Sequence, residues 1–196
     1  MKYYQEIELF DDGEVSIAFI WRKIFEELHR MFVRFKDREN LIPFGLSFPD
    51  IGQDRFPLGR RVRIFAMERE MLDQLGLENS LRENGDYAEV HHILPVPTTE
   101  SHAVFRRVQF KKTNPERLAR RYAKRHNVTY EEALSRYIQM DVEAVIKENK
   151  LPFVHFKSAS TDQFVKLFIE KQIHATPSEG LFGTFGLSST TTVPCF

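Results

Sequence analysis

Residues 3–35 read YYQEIELFDDGEVSIAFIWRKIFEELHRMFVRF, and the change of period inside this stretch decides the fold. Tyr3 to Phe10 alternates with period two and stops at Asp11-Asp12-Gly13, the pattern of a strand that enters a turn. From Ile17 the period lengthens: Ile17, Trp21, Ile24, Leu28, Met31 and Phe35 fall on one stripe of a strongly amphipathic helix. Working outward, Ile42 to Phe48 and Arg60 to Ala66 read as two strands, joined as a hairpin by a loop rich in Pro, Gly and Asp. Glu68 to Asn79 is a second helix with a weaker pattern, and Ala88 to Val96 is a fourth strand ending among Pro95 and Pro97. The order β-α-β-β-α-β is the ferredoxin-like (RRM-like) arrangement, common among RNA-binding domains. Order alone does not name a function, because this fold hosts many.

Pro95-Val96-Pro97-Thr98-Thr99 marks a domain boundary, which divides the chain into residues 1–97 and 98–196. The second part reads as a short strand (Val104 to Phe110), a basic helix, a further helix from Tyr130 to Lys147, and three strand-like runs. Those runs are Phe153 to Lys157, Gln163 to Glu170 and Gly183 to Leu187. The fold class is α+β: a ferredoxin-like domain followed by a smaller α+β domain that carries the basic helix.

A chain of 196 residues, 42% apolar and with 18 Phe, can bury a substantial core. Its one cysteine, Cys195, excludes an internal disulfide framework and any cysteine-based zinc site, and fits a reducing cytoplasm. The first residues, Met1-Lys2-Tyr3-Tyr4-Gln5-Glu6, have no apolar signal region, and no stretch reaches the length of a membrane span. A cytoplasmic protein with no membrane partner is the expectation.

Formal neutrality conceals a strong local asymmetry. Between Ser101 and His126 lie Arg106, Arg107, Lys111, Lys112, Arg117, Arg120, Arg121, Lys124 and Arg125, against the single acid Glu116. Such a dipole points towards a polyanionic partner. Asn114-Pro115-Glu116 opens a helix, with Asn as N-cap, Pro at the first helical position and an acid in the first turn. With Arg117 at zero and ~100° per residue, Arg120, Lys124, Arg121 and Arg125 fall with it on an arc of roughly 140°. Leu118, Ala119, Tyr122 and Ala123 take the other side and are expected to pack on the body of the protein. The cationic row is expected to lack acidic partners at i±4, which leaves it self-repulsive and suited to phosphates.

Histidine is the natural proton acceptor near neutral pH. Of seven, His29 sits at the edge of the first helix's apolar stripe, one turn from Phe25 and one from Phe32; spacing alone makes it a boundary histidine capping the core. His91-His92 in a strand point to opposite faces, His126 ends the basic helix, and His102, His155 and His174 have no partner at ligand spacing. No metal site and no cofactor is expected. Arg107 and Gln109 share one face of a strand, where they can make bidentate contacts to guanine and adenine edges or stand as plain edge-strand polar residues. Ser158-Ala159-Ser160-Thr161 follows a strand, and Gly180, Gly183 and Gly186 punctuate the last segment; hydroxyls and open backbone amides suit phosphate or ribose.

Several segments together resemble one family, the CRISPR-associated, repeat-specific endoribonucleases of type I-F systems, which mature crRNA. They are Ile24-Phe25-Glu26-Glu27-Leu28-His29, Gly45-Leu46-Ser47-Phe48-Pro49-Asp50, Arg107-Val108-Gln109 and Asn114-Pro115-Glu116-Arg117-Leu118. Further on are Leu151-Pro152-Phe153-Val154, Ser158-Ala159-Ser160-Thr161 and Phe185-Gly186-Leu187-Ser188. The resemblance spans nearly the whole chain. It implies that His29 is the catalytic histidine, that Ser158 holds the ribose 2′-hydroxyl and that Ser160 contacts the scissile region. It implies that Arg107 and Gln109 read the base of an RNA stem. Arg117, Arg120, Arg121, Lys124, Arg125 and His126 match a helix laid in the hairpin's major groove. An aromatic residue under the last base pair is expected near Phe164-Val165, with Phe164 the candidate.

Three positions depart from the family pattern. Lys124 stands where an arginine is expected and loses the bidentate fork. Ala119 removes a further cation. Phe185, a candidate for RNA contact, stands where a tyrosine near the histidine is expected and brings no hydroxyl. The implied function is cleavage of pre-crRNA just 3′ of a repeat hairpin by 2′-hydroxyl attack without metal. The products are a 2′,3′-cyclic phosphate and a 5′-hydroxyl, and the crRNA stays bound within a type I-F interference complex of further subunits. A non-catalytic hairpin-binding subunit and a DNA-binding regulator remain as the other readings.

Overall fold

The computed structural model describes residues 1–11, 13–53, 56–82, 85–110, 114–157 and 164–196. Its elements are β1 (Tyr3–Leu9), α1 (Ile17–Val33), β2 (Leu41–Ile42), β3 (Gly45–Ser47), β4 (Arg61–Ala66), α2 (Arg69–Leu75), α3 (Leu77–Ser80), β5 (Ala88–Val90) and β6 (Leu94–Pro95). They continue with β7 (His102–Val108), α4 (Pro115–His126), α5 (Tyr130–Lys150), β8 (Phe153–Lys157), β9 (Phe164–His174), β10 (Phe182–Gly183) and β11 (Val193–Pro194).

The period-two opening produces the expected strand: Gln5, Ile7 and Leu9 are buried, while Tyr4, Glu6 and Glu8 lie on the other face. β1 pairs antiparallel with β4, Ile7 opposite Val62 and Glu6 opposite Arg63, so the alternation of both strands agrees. The first sheet runs β3-β4-β1-β5, with β6 also on β1, and its pairs are antiparallel. β1 and β3 are therefore parallel with β4 inserted between them, which is the ferredoxin-like order. The helix begins at Ser16, whose hydroxyl accepts from the Phe19 N–H at 3.4 Å. Its stripe buries Ile20, Trp21, Ile24, Phe25, Leu28, Met31 and Phe32. Full burial of each such side chain is worth ~1.5–3 kcal/mol, which places α1 by tertiary packing. The Trp21 indole N–H is satisfied by the Gly59 carbonyl at 2.9 Å.

Four local expectations are corrected: the strand expected over Ile42 to Phe48 breaks into β2, which pairs with β10, and β3, which pairs with β4. The second helix breaks into α2 and α3 because Gly76 caps the first piece in the left-handed region, φ 65°. The fourth strand divides into β5 and β6 around 91–93. Of the run 183–187 only Gly183 is in a strand, β10, where it pairs with β2; the remainder turns back on itself.

The chain forms two compact units, Met1–Val108 with Pro152–Phe196, and Gln109–Leu151. A division at 97/98 differs from this one. The second sheet, β11-β7-β9-β8, contributes Ala103, Phe105, Val154, Leu167, Ile169 and Val193 to the same hydrophobic cluster as α1 and the first sheet. Phe105 meets Phe48 edge-on at 5.5 Å between centroids. The prolines after β6 turn the chain without separating two cores.

In the second unit, Asn114 caps α4 by accepting from the Arg117 N–H at 3.0 Å, with Pro115 at the first position. Asn127, φ 52°, ends it, and a Thr129–Glu132 capping box starts α5. Buried Ala119 and Ala133 let the helices approach, and Tyr122 packs between His126 (4.1 Å) and Tyr137 (6.0 Å). The apolar side of α4 thus finds its partner in α5, within its own unit. Among the described residues no helix is long and apolar enough to cross a membrane.

Candidate active site

His29 lies three-quarters of the way along α1, where the apolar stripe meets solvent, and its imidazole is half-buried. What covers it comes from far along the chain. β10 is anchored on β2, and the following turn is closed by the Gly186 N–H donating to the Gly183 carbonyl at 2.8 Å and the Gly183 N–H to Leu187 at 2.9 Å. The Leu46 N–H in turn donates to the Gly186 carbonyl at 2.8 Å. Gly186 is required here: its φ is +69°, and a Cβ would stand 2.5 Å from Leu46 Cγ. The turn is thereby fixed to β3, and it sets Thr184 and Phe185 over the histidine.

The Thr184 carbonyl is 2.9 Å from His29 Nδ1. A carbonyl can only accept, so Nδ1 carries the proton and Nε2 keeps its lone pair. The Phe185 ring stacks on the imidazole, 4.2 Å between centroids and 11° from parallel. Phe156 of β8 meets the same imidazole edge-on at 5.2 Å and closes on Phe185 at 5.1 Å, with Phe25 behind it. Burial pushes the His29 pKa below 6.5, and the Thr184 hydrogen bond, which favours the charged form, only partly offsets it. At neutral pH the residue is a neutral imidazole of one tautomer with Nε2 free to accept a proton.

Arg107, exposed on β7, brings its guanidinium 5.5 Å from the Phe185 centroid. Among the described residues it has no acidic partner, whereas its neighbour Arg106 is held by Glu170. A cavity of about 360 Å³ lies between Asn40, Arg106, Arg107, Thr184, Phe185 and Ser188. A free cation and the Phe185 ring that covers the neutral base thus line one depression. Of the expected pair only Arg107 lies in a strand: β7 ends at Val108, and the exposed Gln109 begins the second unit. Ser158 and Ser160 lie outside the described residues. The residue before them, Lys157, donates its backbone N–H to Glu26 Oε1 at 3.3 Å, one helical turn from His29. Phe164 opens β9 with 59% of its surface exposed.

On α4, Arg117, Arg120, Arg121, Lys124, Arg125 and His126 are all exposed. The row is not free of acids at i±4, since Arg120 pairs with Glu116 at 3.4 Å. Such an exposed pair is worth only ~0.3–0.5 kcal/mol, so it restrains Arg120 without cancelling the row. The remaining α4 arginines and Lys124 form no ion pair among the described residues. Sequence reasoning missed Thr184 and Phe156. The first acts through its carbonyl, which side-chain identity cannot reveal, and the second stands in an ordinary strand pattern.

Residues 4–196 match the family model described as CRISPR-associated protein (Cas_Csy4). Two proteins named CRISPR-associated endonuclease Cas6/Csy4 align over the full length of both chains. The one from Pseudomonas aeruginosa (strain UCBPP-PA14) is 37% identical over 201 residues. The one from Escherichia coli (strain UTI89 / UPEC) is 33% identical over 199. A solved structure titled CRISPR associated protein Cas6 covers 98% of both chains with TM-score 0.34 and 9% identity, too distant to carry any argument.

Proposed function

This chain belongs to the Cas_Csy4 family of CRISPR-associated proteins, and from that premise we propose that it is an endoribonuclease that recognises the CRISPR repeat hairpin and cleaves pre-crRNA just 3′ of the stem. The observation that carries the reading is His29: half-buried, neutral, and with Nδ1 engaged so that Nε2 faces the reaction as base.

Nε2 takes the proton of the 2′-hydroxyl at the scissile nucleotide. The 2′-oxygen attacks the adjacent phosphorus, the bond from phosphorus to the 5′-oxygen breaks, and that oxygen gains a proton. The products are a 2′,3′-cyclic phosphate and a 5′-hydroxyl. The nucleophile belongs to the same nucleotide as the phosphate, so proximity is already supplied and no metal is required. General-base help of this kind is worth ~10²–10⁴-fold. Ser158, assigned by resemblance, holds the 2′-hydroxyl, and Ser160 contacts the scissile region. Arg107 and Gln109 set the register at the foot of the stem, beside Phe164 and Phe185. Arg117, Arg120, Arg121, Lys124, Arg125 and His126 grip the stem. An A-form major groove is too narrow for a helix, but a short hairpin opens it near the ends. Contacts this numerous hold the product, so the crRNA remains bound and the protein acts within a larger interference complex.

The test is cleavage of the cognate repeat by wild type and His29→Ala, with excess EDTA and with a 2′-deoxy nucleotide at the scissile position. Wild type is expected to cut in EDTA and to fail on the deoxy substrate, while His29→Ala binds the hairpin and does not cut. Cleavage of the deoxy substrate, or undiminished cleavage by His29→Ala, overturns the mechanism.

A further inference from the structure

The N-terminal half of α1 carries an exposed cluster that the hairpin does not account for. With Arg22 at zero and ~100° per residue, Phe19 falls at 60°, Glu26 at 40° and His29 at 340°, so all four share one narrow face. Arg22 lies ~10 Å along the axis from His29 at 1.5 Å per residue. Its guanidinium rests 4.7 Å from the Phe19 ring centroid and 5.5 Å from that of Phe164. Lys23 adds a second cation 5.7 Å from Phe19.

Two features set this cluster apart from an ordinary surface contact. Phe19 and Phe164 leave 44% and 59% of their surfaces exposed, although both are large apolar rings. Arg22 Nε is buried and has no hydrogen-bond partner among the described residues. The natural acid at i+4, Glu26, accepts instead from the Lys157 backbone N–H at 3.3 Å. The face thus offers two ring planes and an arginine fork, on the line that leads along α1 to the proposed base. Rings for stacking and a cation for the backbone are what single-stranded nucleic acid requires, without base-edge readout.

We propose that Phe19 and Arg22, with Phe164 at their border, form a seat for the single-stranded RNA that adjoins the hairpin next to the scissile phosphate. The seat rests on the RNA-processing reading above and extends it: Phe164 underlies the foot of the stem, and Phe19 and Arg22 beside it take the adjoining flanking nucleotide by stacking and a phosphate contact. It makes the precursor, with its tail, a better ligand than the trimmed hairpin.

The probes are the repeat hairpin alone and the same hairpin with an oligoadenosine tail on its 3′ or its 5′ side, each 2′-deoxy at the scissile position to prevent cutting. Affinity is measured by fluorescence anisotropy over a range of salt for wild type, Phe19→Ala, Arg22→Ala and Arg22→Lys. The 3′ tail, which continues past the scissile phosphate, is expected to strengthen wild-type binding, and the variants to lose roughly 5- to 150-fold of that gain per stacked base. Arg22→Ala lowers the log–log salt slope for the tailed RNA by ~0.7, whereas Arg22→Lys retains the slope and part of the gain. The seat is refuted if the 3′ tail does not help wild type, if only the 5′ tail does, if the variants keep the full gain, or if they lose bare-hairpin binding by the same factor. Failure of the underlying reading looks different, because wild type then fails to bind the bare hairpin.

Discussion

Replacing Phe185 with alanine removes the ring that lies 4.2 Å from the His29 imidazole and touches Phe156 and Phe25. A fully buried Phe→Ala change costs ~3–5 kcal/mol. Phe185 is partly exposed, so we expect roughly half, about 2 kcal/mol, or a fall in melting temperature of ~4–8 °C for a chain of this size. The more telling effect is on His29. Burial is the larger influence on its pKa and lowers it, while the Thr184 carbonyl favours the imidazolium. Opening the stack to water removes part of the first and leaves the second, so the pKa must rise towards the ordinary 6.5 or beyond. Because the base works only when neutral, wild-type cleavage persists as pH falls below 6.5 and fades through the lower folded pKa; the variant loses activity at a higher pH. Single-turnover cleavage between about pH 5 and 8, with an NMR titration of the imidazole, measures both. The plateau rate should fall by less than the ~10²–10⁴ that loss of the base entails, since Nδ1 still has its carbonyl. A midpoint that stays in place or moves down refutes the claim that the aromatic cover keeps His29 neutral.

Gly186→Ala places a Cβ 2.5 Å from Leu46 in a left-handed backbone, so it should cost at least ~1–2 kcal/mol and slow cleavage by displacing Thr184; an unchanged melt and rate contradict this. Asp50→Asn removes the carboxylate that Arg61 holds below its usual pKa. Wild type should exceed the variant by about 1 kcal/mol at pH 7 in urea melts, after discounting a partly exposed pair. That difference is fully present above pH 3.8 and vanishes as pH falls through the lower folded value, so a gap that persists in acid argues against the pair. Arg121→Gln should reduce the salt slope of hairpin binding by ~0.7–0.9, and a slope equal to wild type means that Arg121 does not contact phosphate.

Much of the fold was open to reading because local periodicity and capping report on backbone state directly. The period change between Tyr3 and Phe35 yields β1 and α1, and Asn114-Pro115-Glu116 marks the start of α4 to the residue. Errors arose where distant contacts decide. Gly76 looks like any helical glycine until its left-handed φ divides α2 from α3. The proline-rich stretch after β6 resembles a domain linker, yet Phe105 and Leu167 beyond it enter the first core. Glu116 was visible four residues before Arg120, and the expected absence of an acid at i±4 was mistaken.

The ferredoxin-like order of elements, the charge asymmetry and the place of the histidine at the boundary of α1 are all legible in the residues alone, because each depends on neighbours within a few positions. What that histidine can do depends on long-range packing. The carbonyl of Thr184, 155 residues away, sets its tautomer, and Phe156 and Phe185 exclude enough water to hold it neutral. A backbone oxygen has no residue-specific signature, and desolvation depends on whatever packs nearby. Both become definite only when β8 and the turn at Gly186 close over the helix.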